Sequence, residues 1–241
     1  MAIAVRTWSL IFALAILPTC RKAAVENRIN PHVVSPGTKI HGKSYGEWSA
    51  EWWKFVQSIP SPDNPLLHDD KCEVGQSGPV WFLTGKWGES PIIATRHCTV
   101  PSGKYLFFPV VNVASDNVGF NPLKTVDELR KGAREFVDSY VGTKCWLDGK
   151  EIHGLSSVQD SPYRVVSPVF SCRAPAGDIR GYPAGMLVDR VVADGVFLML
   201  EPLAAGRHTI RFTASSLAMS YSFDVTYQID IVPPKKSPLG L

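Results

Sequence analysis

Phe223-Asp224-Val225-Thr226-Tyr227-Gln228-Ile229-Asp230-Ile231 carries an apolar residue at every second position and a polar one between. A strand turns successive side chains to opposite faces, so this stretch predicts a sheet with one buried face and one wetted face. Ile210 and Phe212 alternate in the same way just after an Ala205-Gly206 turn, and Lys144 to Ile152 reads as a hairpin turning at Asp148-Gly149. Shorter apolar runs, Pro79 to Thr84, Ile92 to Thr95, Lys104 to Val113, Tyr163 to Phe170 and Val196 to Leu200, are punctuated by Gly and Pro. Many short strands without regular strand–helix alternation predict a mainly β domain, an antiparallel β-sandwich of jelly-roll or Ig-like type with two accessory α-helices.

The helices have their own signals. After Ser44, a good N-cap, Tyr45, Trp48, Trp52, Phe55, Val56 and Ile59 recur at helical spacing until Pro60 and Pro62 stop the run. Glu47, Glu51 and Lys54 fall together opposite this aromatic stripe, which reads as a solvated, internally paired face more readily than as an acid–base pair. Thr125-Val126-Asp127-Glu128 is a capping box, followed by the stripe Val126, Leu129, Ala133, Phe136, Val137 and Tyr140, with Gly142 placed as a C-cap.

The N-terminus reads as an address. One positive charge at Arg6 precedes an apolar run from Trp8 to Leu17 broken at Pro18. That run is shorter than the ~20 residues a membrane-spanning helix needs and fits the core of a secretory signal. Leu17-Pro18-Thr19-Cys20 resembles a lipoprotein box, departing from it at Pro18 and Thr19, and makes Cys20 a candidate for lipidation. The expected organisation is therefore a signal peptide over 1–20, a linker over 21–43, a single β-sandwich domain over 44–233 and a disordered tail over 234–241.

The composition excludes several classes. Hydrophobic residues make up 45% and charged residues 20% of the 241 positions, enough apolar surface to offset the entropy of ordering. The net charge of +3 comes without any long Lys/Arg run, which argues against a nucleic-acid partner. His41, His68, His97, His153 and His208 show no metal-ligand spacing, and no P-loop, dinucleotide fingerprint or G-x-S-x-G is present, so no metal and no cofactor is expected. Asn112, Asp116, Asn117 and Asn121 crowd one polar loop, which reads as a plain loop before it reads as a Ca²⁺ site.

Beyond Cys20, the folded part holds Cys72, Cys98, Cys145 and Cys172, an even number suited to an oxidising compartment. Of three connectivities, Cys72–Cys98 and Cys145–Cys172 are favoured because each pair brackets a run that looks like a strand and its return.

Three segments carry a resemblance. Gly46-Glu47-Trp48-Ser49-Ala50-Glu51-Trp52-Trp53, Gly75-Gln76-Ser77-Gly78-Pro79-Val80-Trp81-Phe82-Leu83 and Cys98-Thr99-Val100-Pro101-x-Gly103-Lys104-x-Leu106-Phe107-Phe108-Pro109 together resemble a set of exported bacterial proteins with no assigned activity. The resemblance spans roughly residues 44 to 230, implies export, and supplies no catalytic residue. Gly75 to Pro79 is also similar to the nucleophile loop of chymotrypsin-like proteases, but Ser77 precedes most of the domain, whereas that family's serine follows its histidine and aspartate.

The expected function is a secreted, periplasmic or envelope-associated binding module held by disulfides. Trp52, Trp53, Trp81 and Trp87 are the candidate aromatic platform, a glycan or an envelope protein the candidate ligand, and a lipid anchor the only expected link to a membrane. The alternative is an extracytoplasmic hydrolase acting on an envelope or extracellular polymer, which would gather residues such as Glu51, His68 and Asp70 into one cleft.

Overall fold

The computed structural model describes residues 30–233. The segment expected to be a signal peptide, Cys20 and the tail from 234 lie outside the described residues. The described chain is a β-sandwich with two helices, α1 (Tyr45–Ser58) and α2 (Val126–Asp138). Its strands are β1 (Val80–Phe82), β2 (Ile92–Pro101), β3 (Tyr105–Ser115), β4 (Tyr140–Leu147), β5 (Lys150–Glu151), β6 (Arg164–Val166), β7 (Phe170–Arg173), β8 (Leu187–Leu200), β9 (Gly206–Ser216) and β10 (Tyr221–Val232). One sheet runs β1-β3-β8-β6 with β7 also on β8, and the other runs β2-β10-β9-β4-β5. Both are mixed and not wholly antiparallel, because β1 lies parallel to β3 and β2 parallel to β10.

The first sheet has two working faces. Phe108 turns toward the second sheet, where its ring stacks on Phe212 with centroids 5.7 Å apart. Phe107 and Phe197 turn the other way, stacked on one another at 5.2 Å, and meet Tyr45 and Trp52 of α1. This gives three layers, helix on sheet on sheet. The capping boxes expected at Ser44/Glu47 and Thr125/Glu128 are both formed. Helix α2 reaches β3 and β8 of one sheet and β4 of the other. It is fastened by Arg164 on β6, whose guanidinium takes Asp194 of β8 at 3.0 Å and also binds Asp138 at the helix's C-terminal end. Gly142, expected as its C-cap, lies instead at an irregularity in β4, and Ser139 is the cap.

Residues 30–43 are not a linker. Val33 bridges Leu200, the Tyr45 hydroxyl donates to the Val34 carbonyl, and the Trp48 indole donates to the Ile40 carbonyl. With Val33, Val34 and Ile40 buried, this stretch is part of the domain. Its prolines and glycines masked the three apolar residues that seat it.

Strand β2 alternates buried and exposed along Ile92–Pro101, and its buried positions include Arg96 and Cys98. Arg96 is fully buried. Its Nη1 donates to Thr84 Oγ1 at 2.8 Å and to the Gly85 carbonyl at 2.6 Å, while Nη2 donates to the His68 carbonyl at 2.8 Å and to the Pro65 carbonyl. Two residues on, Cys98 is bonded to Cys72 across 26 positions of sequence. Both contacts pin the long connection from Ile59 to Pro91 against the second sheet.

Cys145 and Cys172 are not joined, contrary to the expected second disulfide. Cys145 sits on β4 in the second sheet, sealed in the core, and burial holds its thiol protonated. Cys172 sits on β7 in the first sheet, where its Sγ–H donates to Gln57 Oε1 at 2.9 Å. The partners of β4 are β5 and β9, and that of β7 is β8, so the two cysteines belong to different layers.

Two outcomes are expected. Alkylation in denaturant without reductant should label Cys145 and Cys172 but neither Cys72 nor Cys98, read by peptide mass mapping; four blocked cysteines would contradict this pairing. Arg96→Met should lower the unfolding free energy by roughly 3–5 kcal/mol, because its loop acceptors, those of Thr84 and Pro65 buried, lose a charged donor. A urea midpoint unchanged from the parent protein would show that the loop carbonyls find other partners.

Candidate functional site

Strand β3 changes character halfway along. Its register with β8 shifts by one residue between Pro109 and Val111, leaving Val110 as the extra residue of a bulge. Close approach is permitted by Gly195, where a Cβ would stand 2.6 Å from both the Val111 carbonyl oxygen and Asn112 Cβ. On its other side β3 is paired with β1 only from Tyr105 to Phe107. From Pro109 to Ser115 that edge has no strand beside it among the described residues.

Two adjoining cavities, of about 270 and 590 Å³, lie along this open edge and share Trp53, Trp87, Asn112 and Phe136. Together they form one cleft. One wall comes from α1 and the Ile59–Pro91 connection. The Trp87 N–H donates to the Leu66 carbonyl at 2.8 Å, which sets its side chain at the lip. The opposite wall comes from α2 and the second sheet. Phe136 meets Tyr140 at 5.7 Å, and Phe223 meets Tyr140, Phe212 and Tyr221 at 6.2–6.4 Å between centroids. Burial, together with the nearby Tyr221, pushes the Tyr140 phenol up to about 12, and burial raises that of Tyr221, so both stay neutral across the physiological range.

Two donors in the cleft lack an acceptor. The indole N–H of Trp53 and the side-chain amide nitrogen of Asn112 are buried and make no hydrogen bond within the described structure. A buried unpaired donor is costly, and a ligand in the cleft would supply the missing acceptors.

The larger cavity ends in charge. Arg180 binds Asp178 through Nε and Nη2 at 3.1 and 2.8 Å, and stacks over Tyr182 at 4.4 Å. Asp116 accepts from the Val118 N–H at 2.9 Å and from the Tyr182 hydroxyl at 3.3 Å, and Arg180 Nη1 stands 3.8 Å away. Burial opposes the charge of Asp178, but the hydrogen bonds and charge of Arg180 outweigh it and hold the carboxyl below its ordinary value. Behind this group, burial keeps the Cys172 thiol up despite the nearby Arg180, so it is a neutral donor and not a nucleophile.

The four expected tryptophans divide. Trp53 and Trp87 line both cavities, at 6% and 39% exposure. Trp52 touches the smaller one but is 1% exposed, with its N–H committed to the Leu83 carbonyl at 2.8 Å. Trp81 is 8% exposed on β1, on the face opposite Phe82, and does not line the cleft. The candidate hydrolytic residues are not gathered. Glu51 pairs with Lys43 and Lys54 on the outer face of α1, His68 contacts the Ser61 carbonyl, and Asp70 is exposed. In the polar loop, Asn117 clamps the backbone of Lys124, and no group of His, Cys, Asp or Glu suited to a metal ion occurs among the described residues. In the protease-like segment, the Gln76 side chain bonds Phe82 N–H and carbonyl, standing in for a strand beside β1.

Sequence reasoning missed the second wall. Phe136 and Tyr140 were legible as the apolar stripe of α2, but not as a stripe left half-covered at a cleft. Arg180 and Tyr182 gave no signal, since only the fold brings them to Asp116. Comparison with protein-family models, with curated proteins and with solved structures finds no match for this chain.

The Asp178–Arg180 pair has an acid signature. A carboxyl held below its ordinary value of 3.8 adds stability that is complete above that value and is lost as pH falls through the folded-state value. Asp178→Asn should therefore be less stable than the parent at pH 7, with the gap narrowing below about pH 4. Thermal melts across pH 2.5–7 measure it; a gap independent of pH would assign the loss to packing.

Proposed function

We propose that this chain is an extracytoplasmic binding module whose ligand lies in the cleft along β3. The observation that carries the reading is the pairing of aromatic walls with two buried, acceptorless donors, Trp53 Nε1 and Asn112 Nδ2. Such a site is apolar over most of its surface and fixes orientation with few polar groups, as ligand clefts do.

The compartment is supported by the disulfide Cys72–Cys98, with both cysteines buried, which suits an oxidising environment outside the cytoplasm. No helix of the described residues is long and apolar enough to cross a membrane. Export follows from the apolar segment Trp8–Leu17 and from the resemblance to exported proteins; a lipid on Cys20 would tether the module. Val33 beside Leu200 and Val232 beside Ser102 lie at one end of the sandwich, while Ser115 and Tyr221 mark the cleft at the other.

A binding role fits better than hydrolysis. The carboxylates lining the cleft are not set as an acid–base pair: Glu128 accepts from Thr125 in the cap of α2, and Asp116 faces Arg180 and Tyr182. The test uses the fluorescent probe anilinonaphthalene sulfonate, which brightens in apolar clefts. One molecule should bind per folded chain, and Trp87→Ala should weaken it about three- to tenfold through the lost aromatic contact. A native protein that leaves the probe dark, or a Trp87→Ala variant that binds it unchanged, would remove the cleft as the site.

A further inference from the structure

The ligand class can be taken further from the main chain of β3, given that the cleft is the binding site. In β8, the Phe197 N–H donates to the Tyr163 carbonyl at 3.1 Å and the Ser167 N–H donates to the Ala193 carbonyl at 2.9 Å. Odd-numbered residues there direct their main-chain groups toward β6, so even-numbered ones serve β3. Through the register Val111↔Val196, Val113↔Asp194 and Ser115↔Val192, the N–H and carbonyl groups of Val111, Val113 and Ser115 are taken by β8. Those of Asn112 and Ala114 face the open edge. Pro109 agrees: opposite Phe197, its ring nitrogen also faces outward, where a proline removes no ladder bond.

An open edge inside an aromatic cleft presents what a strand recognises: main-chain donors and acceptors at every second residue, with apolar walls on both sides for alternating side chains. A sugar or a small aromatic ligand has no repeat that matches this spacing. The charge at the far end adds a preference. Asp116, Asp178 and Glu128 stand against Arg180 and Lys124, an excess of one negative charge. Lys124 lies over the Phe120 ring and beside Glu128, and Arg180 hydrogen-bonds Asp178, so Asp116 accepts hydrogen bonds from neutral groups alone, the Val118 N–H and the Tyr182 hydroxyl, with Arg180 Nη1 3.8 Å away.

We propose that the cleft takes an extended peptide, added as a strand along Pro109–Ser115, with a basic side chain of the peptide against Asp116. The open edge spans seven residues, roughly 20 Å of strand, which sets the length of the segment recognised. Trp53 Nε1 and Asn112 Nδ2 would donate to its carbonyls or side chains.

The experiment is displacement of anilinonaphthalene sulfonate from the full chain by acetylated, amidated heptapeptides of alternating valine and threonine with one central lysine. The lysine peptide should displace the probe, and its glutamate counterpart should bind at least about fivefold more weakly. N-methylation at alternate residues should abolish binding at one parity and spare it at the other, because only alternate amides face β3. Asp116→Asn should erase the preference for lysine. Ala114→Pro should lose peptide binding yet keep the probe, since it removes only an outward N–H. Should that variant fail to fold, the N-methyl scan on the parent protein decides alone. A probe that binds while no peptide displaces it, or while an oligosaccharide or a second copy of the chain does so instead, overturns the peptide assignment and leaves the cleft standing. A loss of affinity at every N-methyl position alike overturns strand addition. No binding of the probe at all brings down both readings.

Discussion

A fully buried guanidinium is the constraint on which the cleft depends. Arg96 stands on the inward face of β2, and removing its charge from solvent is tolerable because five loop acceptors take its Nη atoms, the Asp69 carboxylate stands 3.6 Å from Nε, and the ring of Tyr227 lies 5.3 Å away. The Tyr227 hydroxyl donates to the Thr84 carbonyl and accepts from the Thr84 N–H, closing the same knot from β10. These bonds hold Pro65–His68 and Thr84–Gly85 in fixed relation, and the Trp87–Leu66 bond then places the indole at the lip. A connection of this length, with only the three residues of β1 in a strand, would otherwise be free to collapse into the cleft. The disulfide from Cys98 restricts the same connection in the unfolded chain, so the two devices act on different states of one segment.

The cleft itself is the consequence of an interrupted sheet. β1 offers only three residues to β3, and Pro109 cannot donate to a neighbour on its open side. The bulge at Val110 then reverses which residues face α1, so that Asn112 and Ala114, opposite Gly195 and Ala193, fall under Trp53 in place of bulky side chains. Small residues at that point are what leave room between helix and sheet. Elsewhere the same two layers close tightly, as the Phe107–Phe197 stack shows. Helix α2 is kept off the open edge by Arg164, which binds it to β6 and β8.

The chemistry of the cleft follows from this packing. Its phenols are neutral, its thiol neighbour Cys172 is protonated, and its guanidinium is occupied by Asp178. Burial thus keeps these phenols and this thiol in their neutral forms near neutral pH. Glu51 and His68, which might have served hydrolysis, are held on other surfaces by local partners within their own segments.

Local pattern was enough for both helices and for most strands, but not for β7 or for the part of β8 before Val196. The alternation from Phe223 to Ile231, the hairpin at Asp148-Gly149 and the two capping boxes depend on residues a few positions apart, so their physics is contained in short windows of sequence. Class and helix number followed from them. Tertiary structure alone decided the rest. Arg96 reads as the end of a strand when judged by polarity, yet it is the middle of one, because its charge is met by acceptors as many as 31 positions away. Cys145 and Cys172 looked like a pair because pairing was judged from sequence neighbours, whereas their strands join different sheets. The Trp53–Asn112–Phe136 cleft has no local signature either. A cavity is a property of surfaces that fail to meet, and which surfaces meet is settled by sheet order, a one-residue bulge and a buried ion, none of which any single stretch of the chain contains.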